Sequence, residues 1–157
     1  MEDRQFRNAM GKFATGVNVI ATEVDNEVYG MTANAFMSVS LDPKLIVISI
    51  GKQARMLDRI RQSGQFSVNV LSCEQQEESM RFAGQKTFED EFEFDTLAGT
   101  PVVRQSLAQL SCEVHNEHTE GDHVLFIGKV NELQLADGDP LIFNCGKYRT
   151  LDTVAQA

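Results

Sequence analysis

From residue 17 onward the chain repeats one pattern: a short β-branched or apolar run, a cluster of turn-forming residues, then another run. Residues 17–24 (VNVIATEV) form the first run. Asp25, Asn26 and Glu27 supply turn chemistry, and Val28-Tyr29-Gly30 begins the return. Residues 45–50 (LIVISI) are continuously apolar and short enough for a strand buried on both faces. Residues 66–71 (FSVNVL) alternate, which predicts a half-buried strand. Further on, Ala108, Leu110, Cys112 and Val114 point one way, and Gln109, Ser111, Glu113 and His115 the other. Residues 119–122 make a turn containing Gly121. Residues 124–135 form a long strand interrupted at Gly128, a bulge or a point of close approach. A turn at 137–140 precedes a last apolar strand at 141–143.

Helical spacing is confined to short pieces. Phe6, Met10 and Phe13 predict an amphipathic helix with one buried stripe, weakened by Gly11 and ended by Gly16. Residues 54–63 carry Met56, Leu57 and Ile60 at helical spacing, with Gly64 where a C-terminal glycine belongs. Residues 74–82 form a third helix. Many strands with few, short helices argue for a barrel over a doubly wound sheet.

The length of 157 residues fits one domain spanning 1–157. A net charge of −9 matches DNA and RNA poorly, since their binders show a basic patch. Glu89, Asp90, Glu91, Glu93 and Asp95, interleaved with Phe92 and Phe94, read as a solvated loop or short helix. Cys73, Cys112 and Cys145 form no CxxC pair, so neither a zinc site nor a disulfide scaffold is expected. Cys112 and Cys145 read as small core residues. The N-terminus MEDRQFRNAM lacks an apolar signal region, and no apolar run approaches a membrane span, so a cytoplasmic protein is expected.

Dinucleotide (GxGxxG), P-loop, GxSxG and HExxH motifs are all absent. His115, His118 and His123 make no metal constellation. The positive signal is residues 30–43 (GMTANAFMSVSLDP), small and polar between two strands, where backbone N–H groups can approach a ligand. Ser38 and Ser40 add hydroxyls. Lys52, Gln53 and Arg55 stand near the start of a helix, a natural phosphate cradle. Composition alone leaves two ordinary loops as the competing reading.

Residues 30–45 (GMTANAFMSVSLDPKL) resemble the signature of the short-chain flavin reductases, the reductase components of two-component flavin-dependent monooxygenases. The likeness extends through FATGV at 13–17, GQFSVNVL at 64–71, Phe82-Ala83-Gly84, Gly121-Asp122-His123, IGKV at 127–130, PLIF at 140–143 and Gly146-Lys147-Tyr148, in the family's order. The resemblance implies a mainly β fold, a six-stranded Greek-key split β-barrel with short flanking helices, working as a homodimer. It also implies FMN or FAD as cofactor, NADH or NADPH as hydride donor, and transfer to flavin N5.

By the same resemblance, Met31, Thr32, Ala33 and Asn34 line the flavin ring, and Ser38, Val39 and Ser40 hold its ribityl and phosphate end. Lys52, Gln53, Ala54 and Arg55 complete the phosphate site, and Phe82, Ala83 and Gly84 contact the flavin tail. Where the family often carries paired serines or threonines, this chain has Gln53, Ala54 and Met56, so backbone donors with Lys52 or Arg55 are expected to substitute. His123 and Tyr148 resemble the residues that position the nicotinamide. The expected partner is a flavin-dependent monooxygenase. The alternative is an FMN-binding electron-transfer or non-reductase flavoprotein on the same barrel.

Overall fold

The computed structural model describes residues 1–152. In chain order the elements are α1 (Asp3–Met10), β1 (Thr15–Gly16), β2 (Asn18–Val24), β3 (Glu27–Ala33), β4 (Phe36–Leu41), β5 (Lys44–Gly51) and α2 (Arg55–Ser63). They continue with β6 (Gln65–Val70), α3 (Gln76–Phe82), β7 (Asp95–Leu97), β8 (Thr100–Val102), β9 (Ala108–Glu120), β10 (His123–Leu135), β11 (Ile142–Asn144) and β12 (Lys147–Arg149).

Seven strands make one sheet in the order β3-β2-β6-β9-β10-β5-β4, with every pair antiparallel. β3 and β4 are the two edges, yet only Asn34 and Ala35 join them. Three Cα steps reach about 11 Å. A flat sheet this wide would span about 29 Å at roughly 4.8 Å per strand. The sheet must therefore roll up, leaving a cylinder open between β3 and β4. This is the split barrel expected, with seven strands in place of six. Residues 30–43 are mostly extended, as the end of β3 and the whole of β4. β1, β11 and β12 form a small second sheet, and β7 pairs with β8.

The interior is filled by Ile20, Ile46, Ile48, Ile50, Phe66, Val68 and Phe126, and α2 closes it with Met56, Leu57 and Ile60. Gly64 takes a left-handed φ of 72° at the end of α2, as the sequence implied. Gly128 serves both roles allowed for it. The register shifts beside it, and a Cβ there would lie 2.6 Å from Phe66 Cζ.

Four expectations need correction. α1 buries none of its residues, and Phe6, Met10 and Phe13 are exposed, because none of the described residues packs on that stripe. The helix ends at Gly11, not Gly16, where the Gly11 carbonyl accepts from Cys145 N–H and Asn144 Nδ2. β6 is buried on both faces: Ser67 donates to the Pro101 carbonyl, and Asn69 bonds Val19 and Val103. The 100–106 segment covers that polar face and likewise buries Gln109 and Ser111. Cys112 is a core residue, but Cys145 is exposed at a left-handed φ of 50° in the turn between β11 and β12. Among the described residues no helix is long and apolar enough to cross a membrane.

Candidate active site

A cleft of about 150 Å³ runs along the β3 side of the barrel opening. Thr32, Ala33 and Asn34 form its floor, at the end of β3. Ser79, Ala83 and Gln85, on and after α3, form one wall. Val17, Phe143 and Tyr148 form the other. α3 can lie this close to β3 because residue 30 is glycine. A Cβ there would sit 2.5 Å from Phe82 Cδ1. The Phe82 ring turns into an aromatic cluster, with centroids 5.0 Å from Phe92 and 5.6 Å from Phe94. Ala83, and not Phe82, therefore faces the cleft. Gly84 takes a φ of +69°, which only glycine adopts at little cost, and Gln85 follows it into the lining.

Polar groups cross-link these walls. Thr32 Oγ1 donates to the Ser79 carbonyl at 2.6 Å. Ser79 Oγ lies 2.8 Å from the Tyr148 hydroxyl. The Tyr148 ring meets Phe143 edge to face, with centroids 5.7 Å apart. Asn18 Nδ2 donates to the Ala33 carbonyl at 3.3 Å. The Thr32 proton is thus committed inside the protein, leaving that hydroxyl to act toward a ligand as an acceptor. Met31 packs against the barrel core instead of lining the cleft.

A second group sits where β5 ends beside β10. His123 pairs with Gly51 in register, and its ring lies over that glycine, 3.7 Å from the position of a Cβ. His123 Nδ1 is 2.7 Å from Asp122 Oδ1, a hydrogen bond that holds the Asp122 carboxyl below the usual carboxylate range. Lys52 Nζ donates to the Gly121 carbonyl at 2.7 Å and its backbone N–H to the Asp122 carbonyl at 2.9 Å. Gln53 and Arg55 are exposed, and Ala54 is the N-cap of α2, with no side chain capping the helix. Open N–H groups at a helix start, with Lys52 and Arg55 beside them, suit a phosphate.

A third group lies on β4. Ser38 is exposed and Ser40 half-buried, and Val39 between them is a bulge where the register with β5 shifts. β4 is an edge strand, so its outer backbone groups have no partner strand. Ser38 and Ser40 pair with Ile46 and Leu45, five and six residues along β5 from Gly51, and the link after β3 meets β5 between them. The Ala35 carbonyl accepts from Ser49 N–H at 3.2 Å, two residues before Gly51. Tyr148 lines the cleft with Thr32–Asn34, whereas His123 stands apart with Gly51 and does not line it.

A flat ring with one polar edge and a phosphate tail fits this donor set. Val17, Ala33, Ala83 and Phe143 offer apolar surface on several sides of the cleft, and the uncapped start of α2 offers the anion site. Sequence reasoning missed Val17, Ser79, Gln85 and Phe143 as lining residues. Ser79 stands four residues before Ala83, on the same helical face, and that spacing could have pointed to it.

A barrel open between its edge strands, with a cleft along the opening, is a split barrel. Residues 10–152 match the family described as flavin reductase like domain. An NADH-dependent flavin reductase from a Rhodococcus species is 40% identical over 96% of this chain and 87% of its own length. The reductase component of 4-hydroxyphenylacetate 3-monooxygenase from Thermus thermophilus is 35% identical over 93% of this chain and 95% of its own. The solved structure of the flavin reductase PheA2 in its native state superposes with a TM-score of 0.95 at 55% identity, covering 98% of this chain and 100% of that one. The chain belongs to the flavin reductase-like family.

Proposed function

We propose that this chain is an NAD(P)H-dependent flavin reductase that binds FMN or FAD and hands reduced flavin to a partner flavin-dependent monooxygenase. The observation that carries this reading is the convergence of Thr32, Ala33, Asn34, Ala83 and Tyr148 on one cleft beside the barrel opening. When bound, the flavin supplies the redox chemistry, accepting a hydride at N5 from the nicotinamide. The protein binds and orients. Backbone and amide donors at Thr32–Asn34 face the polar edge of the ring and favour negative charge developing there. The Thr32 hydroxyl accepts, since its own proton goes to Ser79. Ser38, Val39 and Ser40 on the facing edge strand, with Lys52, Gln53, Ala54 and Arg55 at the start of α2, hold the ribityl and phosphate end. Ala83 and Gly84 flank the tail, and Phe82 and Met31 act from behind as packing. His123, its ring fixed by Asp122, and Tyr148 position the nicotinamide. No side chain needs to act as a nucleophile.

The protein works as a homodimer in this reading. Met37, Val39 and Leu41 expose apolar surface on β4 beside the opening, and Phe6, Met10 and Phe13 do so on and just after α1. A second copy covers them and supplies a further wall for the ligand. Residues 1–157 act as one reductase unit, with 153–157 outside the described residues. A cytoplasmic location suits three unpaired cysteines and a reduced nicotinamide substrate. The partner assignment draws on the monooxygenase reductase component among the relatives.

The test is titration of purified protein with FMN and FAD, followed by NADH and NADPH absorbance loss with each flavin. Saturable, flavin-dependent oxidation is the expected result. Protein that neither binds flavin nor oxidises either nucleotide overturns the reading. His123→Ala should raise the Michaelis constant for NAD(P)H more than it alters flavin binding. Equal effects on both would remove His123 from its assigned role.

A further inference from the structure

Ser79 is 1% exposed, and besides its helix hydrogen bonds it ties two linings of the cleft together. Its carbonyl accepts the Thr32 proton on the cleft floor, and its hydroxyl meets the Tyr148 hydroxyl on the far wall. Among the described residues, Tyr148 is the one hydrogen-bond partner of Ser79 Oγ. A buried hydroxyl with a single partner spends its proton on that partner, because an unmade bond in the interior is expensive. The bond between two hydroxyls permits either sense, and the one that satisfies the buried Ser79 proton has Ser79 donating and the Tyr148 oxygen accepting. The phenolic proton is then free. Tyr148 is half-buried and lines both the flavin cleft and a neighbouring cavity that contains Arg149, Thr150 and Gln76. Its proton has that open space to point into.

We propose that Ser79 is a positioning residue that orients the Tyr148 hydroxyl as a hydrogen-bond donor toward a carbonyl oxygen of the reduced nicotinamide substrate, its carboxamide being the group of matching chemistry. This rests on the flavin reductase reading and deepens it. The two cleft bonds of Ser79 are separable by mutation. Replacing the side chain removes the bond to Tyr148, whereas the carbonyl that holds Thr32 stays in place.

Ser79→Ala, Ser79→Cys, Ser79→Thr and Tyr148→Phe are compared in the flavin-loaded protein. Flavin dissociation constants come from fluorescence quenching, NAD+ binding from calorimetry, and KM and kcat from NADH oxidation. Losing one oriented hydrogen bond corresponds to about a three- to tenfold change. Ser79→Ala and Tyr148→Phe are each expected to weaken NAD+ binding and raise KM for NADH by that factor. Their double variant is expected to be no worse than either alone, and flavin affinity to stay within about twofold. Ser79→Thr, which keeps a hydroxyl, restores the wild-type values. Ser79→Cys gives a near-isosteric second loss variant should the alanine fold poorly. If Tyr148→Phe raises KM but neither Ser79 loss variant does, or if the effects simply add, the Ser79 proposal falls and the reductase reading stands. If Tyr148→Phe changes nothing, Tyr148 is not a donor and the proposal falls with it. Wild-type protein that oxidises no NADH with any flavin overturns both.

Discussion

A methyl group at Gly30 would press 2.5 Å from the Phe82 ring and drive α3 away from β3. Gly30→Ala is expected to cost about 1–3 kcal/mol by overpacking. It should also weaken flavin binding, since α3 leads into Ala83, which lines the cleft. Thermal unfolding and flavin titration check the two effects. Cys112 gives a pH signature. Burial pushes its thiol up to about 12 from the usual 9.0. Between those values the unfolded chain releases a proton that the folded chain keeps. Stability should therefore fall as pH rises through that window, by up to about 1.4 kcal/mol per pH unit. Urea unfolding from pH 8 upward measures the slope, and Cys112→Ala should flatten it. Thr32, Ala33, Asn34, Ala83 and Tyr148 were readable as single positions because their block of sequence is distinctive. Ser79 was not, because a serine within a short polar helix shows no signal until the fold sets Thr32 and Tyr148 beside it.

Among elements, the segment after α3 is strapped down by one side chain. Both Asp90 carboxylate oxygens accept from Arg81, at 2.9 and 2.8 Å, and the Asp90 carbonyl accepts at 3.0 Å. The guanidinium also lies 4.0 Å over the Phe88 ring. Arg81 holds the Asp90 carboxyl below the usual carboxylate range, so the strap is fully formed above that range and loosens as pH falls below it. Arg81→Met is expected to speed hydrogen exchange across residues 84–91 and to weaken flavin binding several-fold, since Gln85 lies on this segment. β2 and β6 should keep their protection. Unchanged exchange in 84–91 would show that the aromatic cluster of Phe82, Phe92 and Phe94 suffices. The acidic run from Glu89 to Asp95 accordingly reads correctly as a loop, but not as a merely solvated one. The strand pattern of residues 66–71 was also legible, while its burial was not. Ser67 and Asn69 look solvent-facing until the 100–106 segment folds over them and takes their hydrogen bonds.

For the proposed homodimer, exposed Met37 and Leu41 on β4, at 60% and 88% exposure, are surface that a second copy buries. Met37→Glu with Leu41→Lys is expected to shift the protein toward a monomer in size-exclusion chromatography and to lower its flavin affinity. A variant that stays dimeric would place the interface elsewhere. The α1 stripe shows why such a feature misleads in a single chain. Phe6, Met10 and Phe13 have the spacing of a core-facing helix, and periodicity cannot say whose core. Strand order was equally unreadable, since it depends on which distant runs pair. The link of Asn34 and Ala35 across the barrel opening carries a last consequence. The segments proposed to grip the flavin, Thr32–Asn34 and Ser38–Ser40, stand on opposite banks of that gap. A bound flavin would act as a clasp on a cylinder otherwise fastened there by two residues, so loading and stiffness rise and fall together, and each release of reduced flavin to a partner leaves the gap slacker than before.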